Sequence, residues 1–240
     1  MQKTNLVVRE ALADQLQKDG YIMLHDWHSE EKTISIARSL GSVVDIRTLL
    51  PESDISAVQA LRPGYNTESF SNTYTGTYGL AEFPMHTDFA HWARPPRYLM
   101  LRCKKGAPGV TTTVLPYSQL NSILEMSTLR RALLKPRRTR PDNTVLLLPL
   151  VFRSRGVNGF RWDSLFLVPM NEAANKVSDI LSHESLPLSW FKPEIKSVVL
   201  ARTGDTLIID NWRCLHGRSQ VSENEMDREL ERVYLSRIYT

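Results

Sequence analysis

Residues 204–218 decide the fold, and they read GDTLIIDNWRCLHGR. The run 206–210 is apolar and rich in β-branched side chains, which is typical of a buried strand. Asp210 and Asn211 come next, and because these residue types favour turns we expect them to hold the chain there. The segment that ends at His216 is again short and apolar. The stretch therefore predicts one buried strand and a turn, with a histidine a few residues after the turn.

Short apolar runs separated by turn residues continue on both sides of this stretch. Further strands are predicted at residues 21–24, 98–103, 110–115, 145–152, 160–168, 198–200 and 232–238. Residues 145–152 are almost continuously apolar, which indicates a strand buried on both faces, with 160–168 as its hairpin partner. Many short strands with turn signals favour a sandwich or a barrel.

Apolar residues at helical spacing predict helices at residues 6–16, 31–40 and 171–182. Gly20 and Gly41 follow the first two helices as stop signals. We therefore predict a mainly β protein with flanking helices, of the double-stranded β-helix type (jelly roll, cupin-like). Since the chain has no internal repeat and no low-complexity linker, residues 1–240 are predicted to form a single domain.

The composition is that of a folded globular chain. Hydrophobic residues make up 42% and charged residues 23% of it, so intrinsic disorder is not expected. The formal net charge is +4, and much of the surplus lies in the basic run 135–140. Such a run can mark a nucleic-acid or membrane surface, but a solvated loop is the expectation here.

Cysteine use and the N-terminus bear on the compartment. Cys103 and Cys214 are not part of a CxxC pair, so we predict reduced core thiols rather than zinc ligands. The N-terminus lacks the apolar segment of a secretory signal peptide. No segment is long and apolar enough for a membrane span. A cytoplasmic protein is therefore expected.

His86 and Asp88 form a His-x-Asp pattern. Residues two apart on a strand point to the same face, so both side chains can reach one point. With His216 they supply two imidazoles and one carboxylate, the facial triad of non-haem iron(II) oxygenases. The triad leaves three coordination positions open for a bidentate cosubstrate and dioxygen. Taken alone, the His-x-Asp pair also fits an ordinary hydrogen-bonded histidine, so the case depends on the residues around His216.

Two arginines follow His216 at a spacing that suits anion binding. In an extended run over 228–232, Arg228 and Arg232 lie on one strand face, and a guanidinium group matches a carboxylate in bidentate fashion. A short connection could return Arg228 to the metal ligands. The alternative is surface pairing of the two arginines with Glu229 and Glu231.

Together these segments resemble the TauD/TfdA family of iron(II)- and 2-oxoglutarate-dependent dioxygenases, the taurine dioxygenase and clavaminate synthase-like group. The resemblance extends over nearly the whole chain, and the segment from Asp210 to Arg232 is its most specific part. The motifs that carry it are His86-Thr87-Asp88 followed by Arg94-Pro95-Pro96-Arg97-Tyr98, Gly109-Val110-Thr111-Thr112, the stretch 204–218, and Arg228-x-x-x-Arg232.

The resemblance implies a cosubstrate site beside the metal triad. Iron(II), 2-oxoglutarate and dioxygen would be used, and succinate and carbon dioxide released. Arg228 would bind the far carboxylate of 2-oxoglutarate, with Arg232 as the second arginine of the motif. Thr111 would assist, with Thr113 as the alternative on the same face, because Pro108 replaces the first glycine of the family's GGxT pattern.

The resemblance also implies the reaction. Asp88 is a carboxylate, whereas the halogenating relatives have a small residue in its place, so hydroxylation is expected and desaturation stays open. A small polar metabolite, an amino acid or a natural-product intermediate would be the substrate. Tyr74 precedes the His-x-Asp strand and is expected to line the pocket. The candidate substrate residues are Asn72, His91, Arg161, Asp163 and Arg218.

Arg161 and Asp163 are predicted to share one strand face, where they could hold a zwitterion. The alternative for this pair is an ordinary ion pair on the surface of a hairpin.

Two other functions stay open at this point. An AlkB-like nucleic-acid demethylase would suit the basic run 135–140 and the paired arginines, although the segment around His216 favours TauD/TfdA. A non-catalytic jelly-roll binding module would keep the fold, but a decayed site is expected to lose at least one ligand. A small molecule is therefore the expected partner, without nucleic acid or membrane, and the chain leaves open whether it forms a homo-oligomer.

Overall fold

The computed structural model describes residues 2–49, 55–65, 73–138, 144–182 and 195–239. Its α-helices are α1 Gln2–Asp19, α2 Thr33–Leu40, α3 Ile46–Leu49, α4 Tyr74–Tyr78, α5 Met126–Arg131 and α6 Glu172–Leu181. Its strands are β1 Tyr21–Leu24, β2 Gly41–Val43, β3 Gln59–Leu61, β4 Phe83–His86, β5 Tyr98–Lys105, β6 Thr111–Pro116, β7 Leu133–Pro136, β8 Leu148–Pro149, β9 Val151–Ser154, β10 Val157–Phe160, β11 Leu167–Pro169, β12 Lys196–Val199, β13 Thr206–Asp210, β14 Cys214–Arg218 and β15 Glu229–Ile238. Short 3-10 helices span Tyr117–Ser122 and Glu223–Glu225.

Two antiparallel sheets form the body of the protein. The larger has the order β1-β13-β5-β15-β2, with β3 also paired to β15, and the smaller has the order β12-β6-β14-β4. The stretch 204–218 crosses between them, because β13 lies inside the larger sheet and β14 inside the smaller one. This arrangement confirms the predicted mainly β fold with flanking helices, built as a double-stranded β-helix.

Side chains along the strands of the larger sheet point alternately to its two faces, and both faces are buried. Leu99 and Leu101 of β5 pack in one apolar cluster with Val114 of the smaller sheet. Met100, between them, packs instead in the cluster that holds the residues of α1 and α2. Burying each of these side chains contributes roughly 2 kcal/mol. The inner face therefore joins the two sheets, and the outer face carries the helices.

The two N-terminal helices lie where the sequence places them, except that α2 begins at Thr33 rather than at residue 31. Leu12 and Leu16 of α1 are buried against the sheet. Gly20 ends α1 with a φ of 81°, a conformation that favours glycine. A Cβ atom there would come within 2.5 Å of Cys214 Sγ, so this close approach also requires glycine.

The predicted strand over residues 145–152 is wrong in its extent and its burial. Val145 is 65% exposed and Leu147 50% exposed, so this part of the run is not in the core. Pairing resumes only at β8, which includes Pro149. Proline has no amide hydrogen to donate to a ladder, which explains why the apolar run does not form one continuous strand.

The predicted hairpin is real but lies earlier in the chain. β9 pairs with β10, Val157–Phe160, rather than with residues 160–168. Arg155 and Gly156 connect the two strands with positive φ values of 50° and 80°, which match the turn twist that two-residue hairpins favour. Residues 161–163 leave the sheet, and β11 pairs with β7 instead.

The cysteines, the helix lengths and the basic run bear on the remaining predictions. Cys103 and Cys214 are buried free thiols, as predicted. The helices in the described ranges are too short or too polar to cross a membrane. That residues 1–240 form one domain stays a prediction. Of the basic run 135–140, residues 139 and 140 lie outside the described residues.

Candidate metal centre

The three predicted ligands meet on the inner face of the smaller sheet. His86 ends β4, Asp88 follows two residues later, and His216 lies in β14 directly opposite His86 in the strand register. Asp88 Oδ1 is 3.5 Å from His86 Nε2 and 3.8 Å from His216 Nε2. One ligand atom from each residue lies within 4.8 Å of the others. No other group of this kind occurs in the part of the chain that the structure describes.

Asn211 fixes the loop that carries Asp88. Its Oδ1 accepts a hydrogen bond from the Asp88 amide (2.7 Å), and its Nδ2 donates to the carbonyls of Asp88 (2.9 Å) and Pro96 (3.0 Å). Asp210 caps the turn between β13 and β14, because its carboxylate accepts a hydrogen bond from the Trp212 amide. These two residues therefore hold the turn, as predicted, and they also set the position of the carboxylate ligand.

The orientation of the His86 ring is set by its other nitrogen. His86 Nδ1 lies 2.8 Å from the carbonyl oxygen of Pro84, and the ring stacks on Tyr74 with centroids 4.1 Å apart. Donation from Nδ1 leaves the lone pair of Nε2 free for a metal, which is the usual arrangement of ligating histidines. The structure thus presents Nε2 to the site.

The charges at the site suit a metal ligand set. Burial alone would raise the pKa of Asp88, but Arg232 and the two histidines hold it well below its usual range. Burial lowers the pKa of His216, whereas for His86 burial is outweighed by the hydrogen bond and the charge of Asp88, which raise the pKa. An ionised carboxylate and a neutral imidazole are the forms that bind metals. Two imidazoles and a carboxylate with open positions suit iron(II).

A cavity of about 620 Å³ begins at the triad. Its walls carry aromatic side chains, among them Tyr74, Phe89, Trp92 and Phe166, and several arginines. This volume falls within the range of sites that hold small molecules, about 300–1,000 Å³. The cavity therefore has room for a cosubstrate and a second small molecule beside the metal ligands.

The threonine that reaches this cavity is Thr112, and this corrects the prediction of Thr111 or Thr113. Thr112 lines the cavity and pairs with Arg218 in the strand register. Side chains two apart share a face, so Thr112 lies on the same face as His216, and its two neighbours do not. Because three threonines follow one another, the sequence motif does not show which of them faces the cavity. The pairing of β6 with β14 decides this.

The two predicted arginines both line the cavity but have different partners. Arg232 Nη1 donates to Asp88 Oδ2 at 3.3 Å, and its Nη2 donates to Gln59 Oε1 at 2.6 Å. Arg228 is 5% exposed, and none of the described residues forms an ion pair with it. A buried cation without a counter-charge is a site for an anionic ligand.

The alternative of surface pairing for these arginines is not what the structure shows. Glu229 pairs with Arg62 at 2.7 Å, and Glu231 accepts a hydrogen bond from Thr33. Both glutamates are therefore engaged elsewhere.

Arg161 does not reach the cavity, which corrects its prediction as a substrate residue. Its guanidinium group donates to the carbonyls of Ala90, Trp92 and Ala93. Burial lowers its pKa to about 10, so it stays charged at neutral pH. Since residue 161 lies beyond β10, it does not share a strand face with Asp163. Arg161 instead braces the loop after the metal ligands.

Asp163, by contrast, lines the cavity and is 1% exposed. Its Oδ1 accepts from the amides of Leu165 (2.8 Å) and Phe166 (3.1 Å). Burial raises its pKa to about 6, so the carboxyl group is mostly ionised at neutral pH. No ion pair to Asp163 is formed within the described ranges.

The other predicted substrate residues are Arg218, His91 and Asn72, and their surroundings differ. Arg218 lines the cavity, but it donates to the carbonyls of Gly79 and Ala81 and lies 3.5 Å over the ring of Phe83. His91 also lines the cavity, and burial together with the nearby charge of Arg138 lowers its pKa to about 4, so it is neutral. Asn72 lies outside the described residues.

Tyr234 was missed by the sequence analysis, although a signal for it exists. Its hydroxyl group donates to Asp88 Oδ2 at 2.6 Å. It lies two residues after Arg232 on the same strand, so the period of two that placed Arg228 and Arg232 together also places Tyr234 on their face.

Comparisons with known proteins agree with the predicted family resemblance. The family model for taurine catabolism dioxygenase TauD, TfdA family, matches residues 3–113, which confirms the predicted resemblance. The match includes His86 and Asp88, and His216 and Arg228 lie beyond it. No curated protein matches the chain.

Solved structures with the same fold include three oxygenases. Asparagine oxygenase in complex with Fe(II), 3-hydroxyasparagine and succinate is 19% identical, with a TM-score of 0.70 over 96% of this chain and 79% of that one. The non-heme iron oxygenase OrfP, with Fe and alpha-ketoglutaric acid, is 20% identical, with a TM-score of 0.68 over 99% and 80%. PvcB from Pseudomonas aeruginosa is 20% identical, with a TM-score of 0.64 over 95% and 79%. At these identities the likeness shows the fold.

Proposed function

We propose that this chain is an Fe(II)- and 2-oxoglutarate-dependent dioxygenase of the TauD/TfdA type. It hydroxylates a small, amine-bearing molecule and releases succinate and carbon dioxide. The observation that carries the proposal is the meeting of His86, Asp88 and His216 at the wall of a cavity that also holds Arg228. A cytoplasmic location belongs to the same proposal.

The residues present fit an iron(II) ion. His86 Nε2, Asp88 Oδ1 and His216 Nε2 would hold it, and the buried His216 Nδ1 has no hydrogen-bond partner within the described ranges, so the ring is not committed to another contact. When bound, iron(II) supplies the activation of dioxygen that is coupled to oxidative decarboxylation of 2-oxoglutarate.

The chain supplies the anchor for the far carboxylate of 2-oxoglutarate. Arg228 carries the buried positive charge that this carboxylate requires, and Thr112 adds a hydroxyl donor on the same wall of the cavity. A guanidinium group binds a carboxylate with two parallel hydrogen bonds, which fixes the direction as well as the distance of the cosubstrate. The 2-oxo acid end is then directed toward the triad.

Aromatic side chains line part of the cavity wall. Phe89 packs against Trp92 with ring centroids 4.3 Å apart, and His91 packs against Phe166 at 5.2 Å. Excluding water strengthens the electrostatic contacts in the site and prevents side reactions of a reactive oxidant. The protein therefore contributes positioning and water exclusion, while the metal and cosubstrate supply the oxidation.

The substrate class follows from Asp163. An ionised, buried carboxylate that forms no ion pair within the described ranges favours a cationic ligand, and Tyr74 and Phe166 line the same cavity as Asp163. The structures of asparagine oxygenase and OrfP contain hydroxylated amino acids, which agrees with an amine-bearing substrate here. A free amino acid or a related amine is therefore the substrate class we propose.

Succinate release tests the proposed function. The iron(II)-loaded protein is incubated with 2-oxoglutarate, oxygen and one compound at a time from matched sets: free amino acids, their N-acetylated forms, and neutral analogues. We expect at least one free amine to stimulate succinate release and its N-acetylated form to lose the effect. Absence of any 2-oxoglutarate turnover, stimulated or not, would contradict the reaction itself.

Replacing Asp163 by asparagine is expected to raise KM for the amine substrate by 10-fold or more. The variant keeps the size and one acceptor oxygen, but it removes the charge that offsets the ammonium group, which is worth on the order of 1.5–3 kcal/mol for a hydrogen bond to a charged group. KM for 2-oxoglutarate should stay unchanged. The exposed Asp179, replaced by asparagine, is the matched control. An unchanged amine KM in Asp163→Asn would remove Asp163 from the substrate site.

The same carboxylate predicts a pH dependence of substrate binding. Since burial raises the pKa of Asp163 to about 6, the group loses its charge as the pH falls through that value. KM for the amine is expected to rise below pH 6 in the wild type and to stay flat there in Asp163→Asn. Parallel profiles in both proteins would assign the pH dependence to another group.

A further inference from the structure

We infer that Tyr234 and Arg232 are positioning residues that hold one oxygen of Asp88, so that the carboxylate meets the metal through its other oxygen. This inference rests on the proposed function, because it concerns the same metal centre. It gives Arg232 a task different from that of Arg228.

The two oxygens of Asp88 have separate sets of partners. Oδ2 accepts from the Tyr234 hydroxyl at 2.6 Å and from Arg232 Nη1 at 3.3 Å. Oδ1 faces the Nε2 atoms of His86 and His216, at 3.5 and 3.8 Å. The carboxylate is therefore oriented before any metal binds.

Tyr234 and Arg232 are held rigidly enough to act in this way. Tyr234 lies in β15 opposite Leu99 of β5, is 1% exposed, and packs edge-on against Phe89 with ring centroids 5.0 Å apart. Arg232 is fixed from the other side by its hydrogen bond to Gln59. Since β15 belongs to the larger sheet and Asp88 follows β4 of the smaller one, these contacts also connect the two sheets at the site.

The consequence concerns the open coordination positions. A carboxylate that is free to rotate can chelate a metal through both oxygens and occupy a position that a bidentate cosubstrate needs. Two donors on Oδ2, one of them charged, hold that oxygen away because charge-assisted hydrogen bonds in a dry site are strong. Tyr234 and Arg232, with their two hydrogen bonds to Asp88 Oδ2, therefore form a clamp. The clamp keeps three coordination positions of the metal open, which is what a facial triad requires.

Metal affinity of the full-length, metal-stripped protein tests this inference without any turnover. Cobalt(II) is the probe, titrated into wild type, Tyr234→Phe, Arg232→Gln and the control Tyr117→Phe, whose ring stacks on Phe160 away from the cavity. Loss of such outer partners typically weakens metal affinity by about 10–100-fold. We expect that loss in the first two variants, together with a changed visible cobalt spectrum. The control should match wild type.

Thermal unfolding of the metal-free proteins separates positioning from folding. A Tyr234→Phe variant with a wild-type unfolding temperature and weakened cobalt affinity supports the clamp. If Tyr234→Phe folds poorly, Arg232→Gln carries the test alone. Wild-type affinity and spectrum in the variants that fold would overturn the clamp and leave the proposed function intact. A wild-type protein that binds no cobalt would overturn both.

Discussion

Asp88→Ala and His86→Ala are each expected to abolish 2-oxoglutarate turnover. Each variant removes one of three ligands, and no other His, Cys, Asp or Glu in the described ranges joins the group. The loss should exceed the effect of removing an outer partner, about 10–100-fold in affinity or activity. Succinate release at saturating iron(II), with and without the amine substrate, measures it.

Surface substitutions of the same residue types control for indirect effects. Asp179→Ala on α6 and His28→Ala, an exposed histidine that pairs with Glu31, should keep wild-type turnover. Wild-type turnover in Asp88→Ala would refute the metal assignment, and so would wild-type turnover in His86→Ala.

Arg228→Ala is expected to weaken 2-oxoglutarate binding with a much smaller effect on metal binding. The variant removes one partner of a buried charge pair, which costs about 2–5 kcal/mol, or roughly 30- to several thousand-fold in affinity. Burial lowers the pKa of Arg228, and a guanidinium group stays protonated in proteins at neutral pH. Titration of 2-oxoglutarate into the cobalt(II)-loaded protein measures this loss separately from catalysis.

Two further variants sharpen this prediction. Arg228→Lys should recover part of the affinity, because the charge returns without the bidentate geometry. Arg130→Ala, which removes an exposed arginine of α5, should have no effect. Unchanged affinity for 2-oxoglutarate in Arg228→Ala would move the anchor to Arg232, and Arg232→Gln would then show the loss instead.

That His86, Asp88 and His216 come together follows from motifs that are short in the sequence, and their role as metal ligands stays a prediction. The motif around His216 supplies the partner of His86, whereas Asp88 lies just beyond β4, where Asn211 rather than strand pairing holds it. The family resemblance and the fold are confirmed, while the function of the site stays a proposal. The bounds of α6 were predicted to within one residue. Its start depends on a local signal, because the side chain of Asn171 caps the helix.

Other features depended on pairings that the sequence does not encode locally. The choice among Thr111, Thr112 and Thr113 needs the register of β6 against β14. Separating Arg161 from Asp163 requires knowing that the chain leaves the sheet after Phe160. Local patterns report strand propensity, and they do not report where pairing stops.

Adding 2-oxoglutarate to the iron(II)-loaded protein without oxygen tests the central claim most directly. The account predicts a visible charge-transfer absorption that requires both the metal and the cosubstrate, saturates at one equivalent of iron(II), and is lost in His216→Ala. Absence of this absorption in the wild type, or its full retention in His216→Ala, would contradict the assignment of this site as the iron centre.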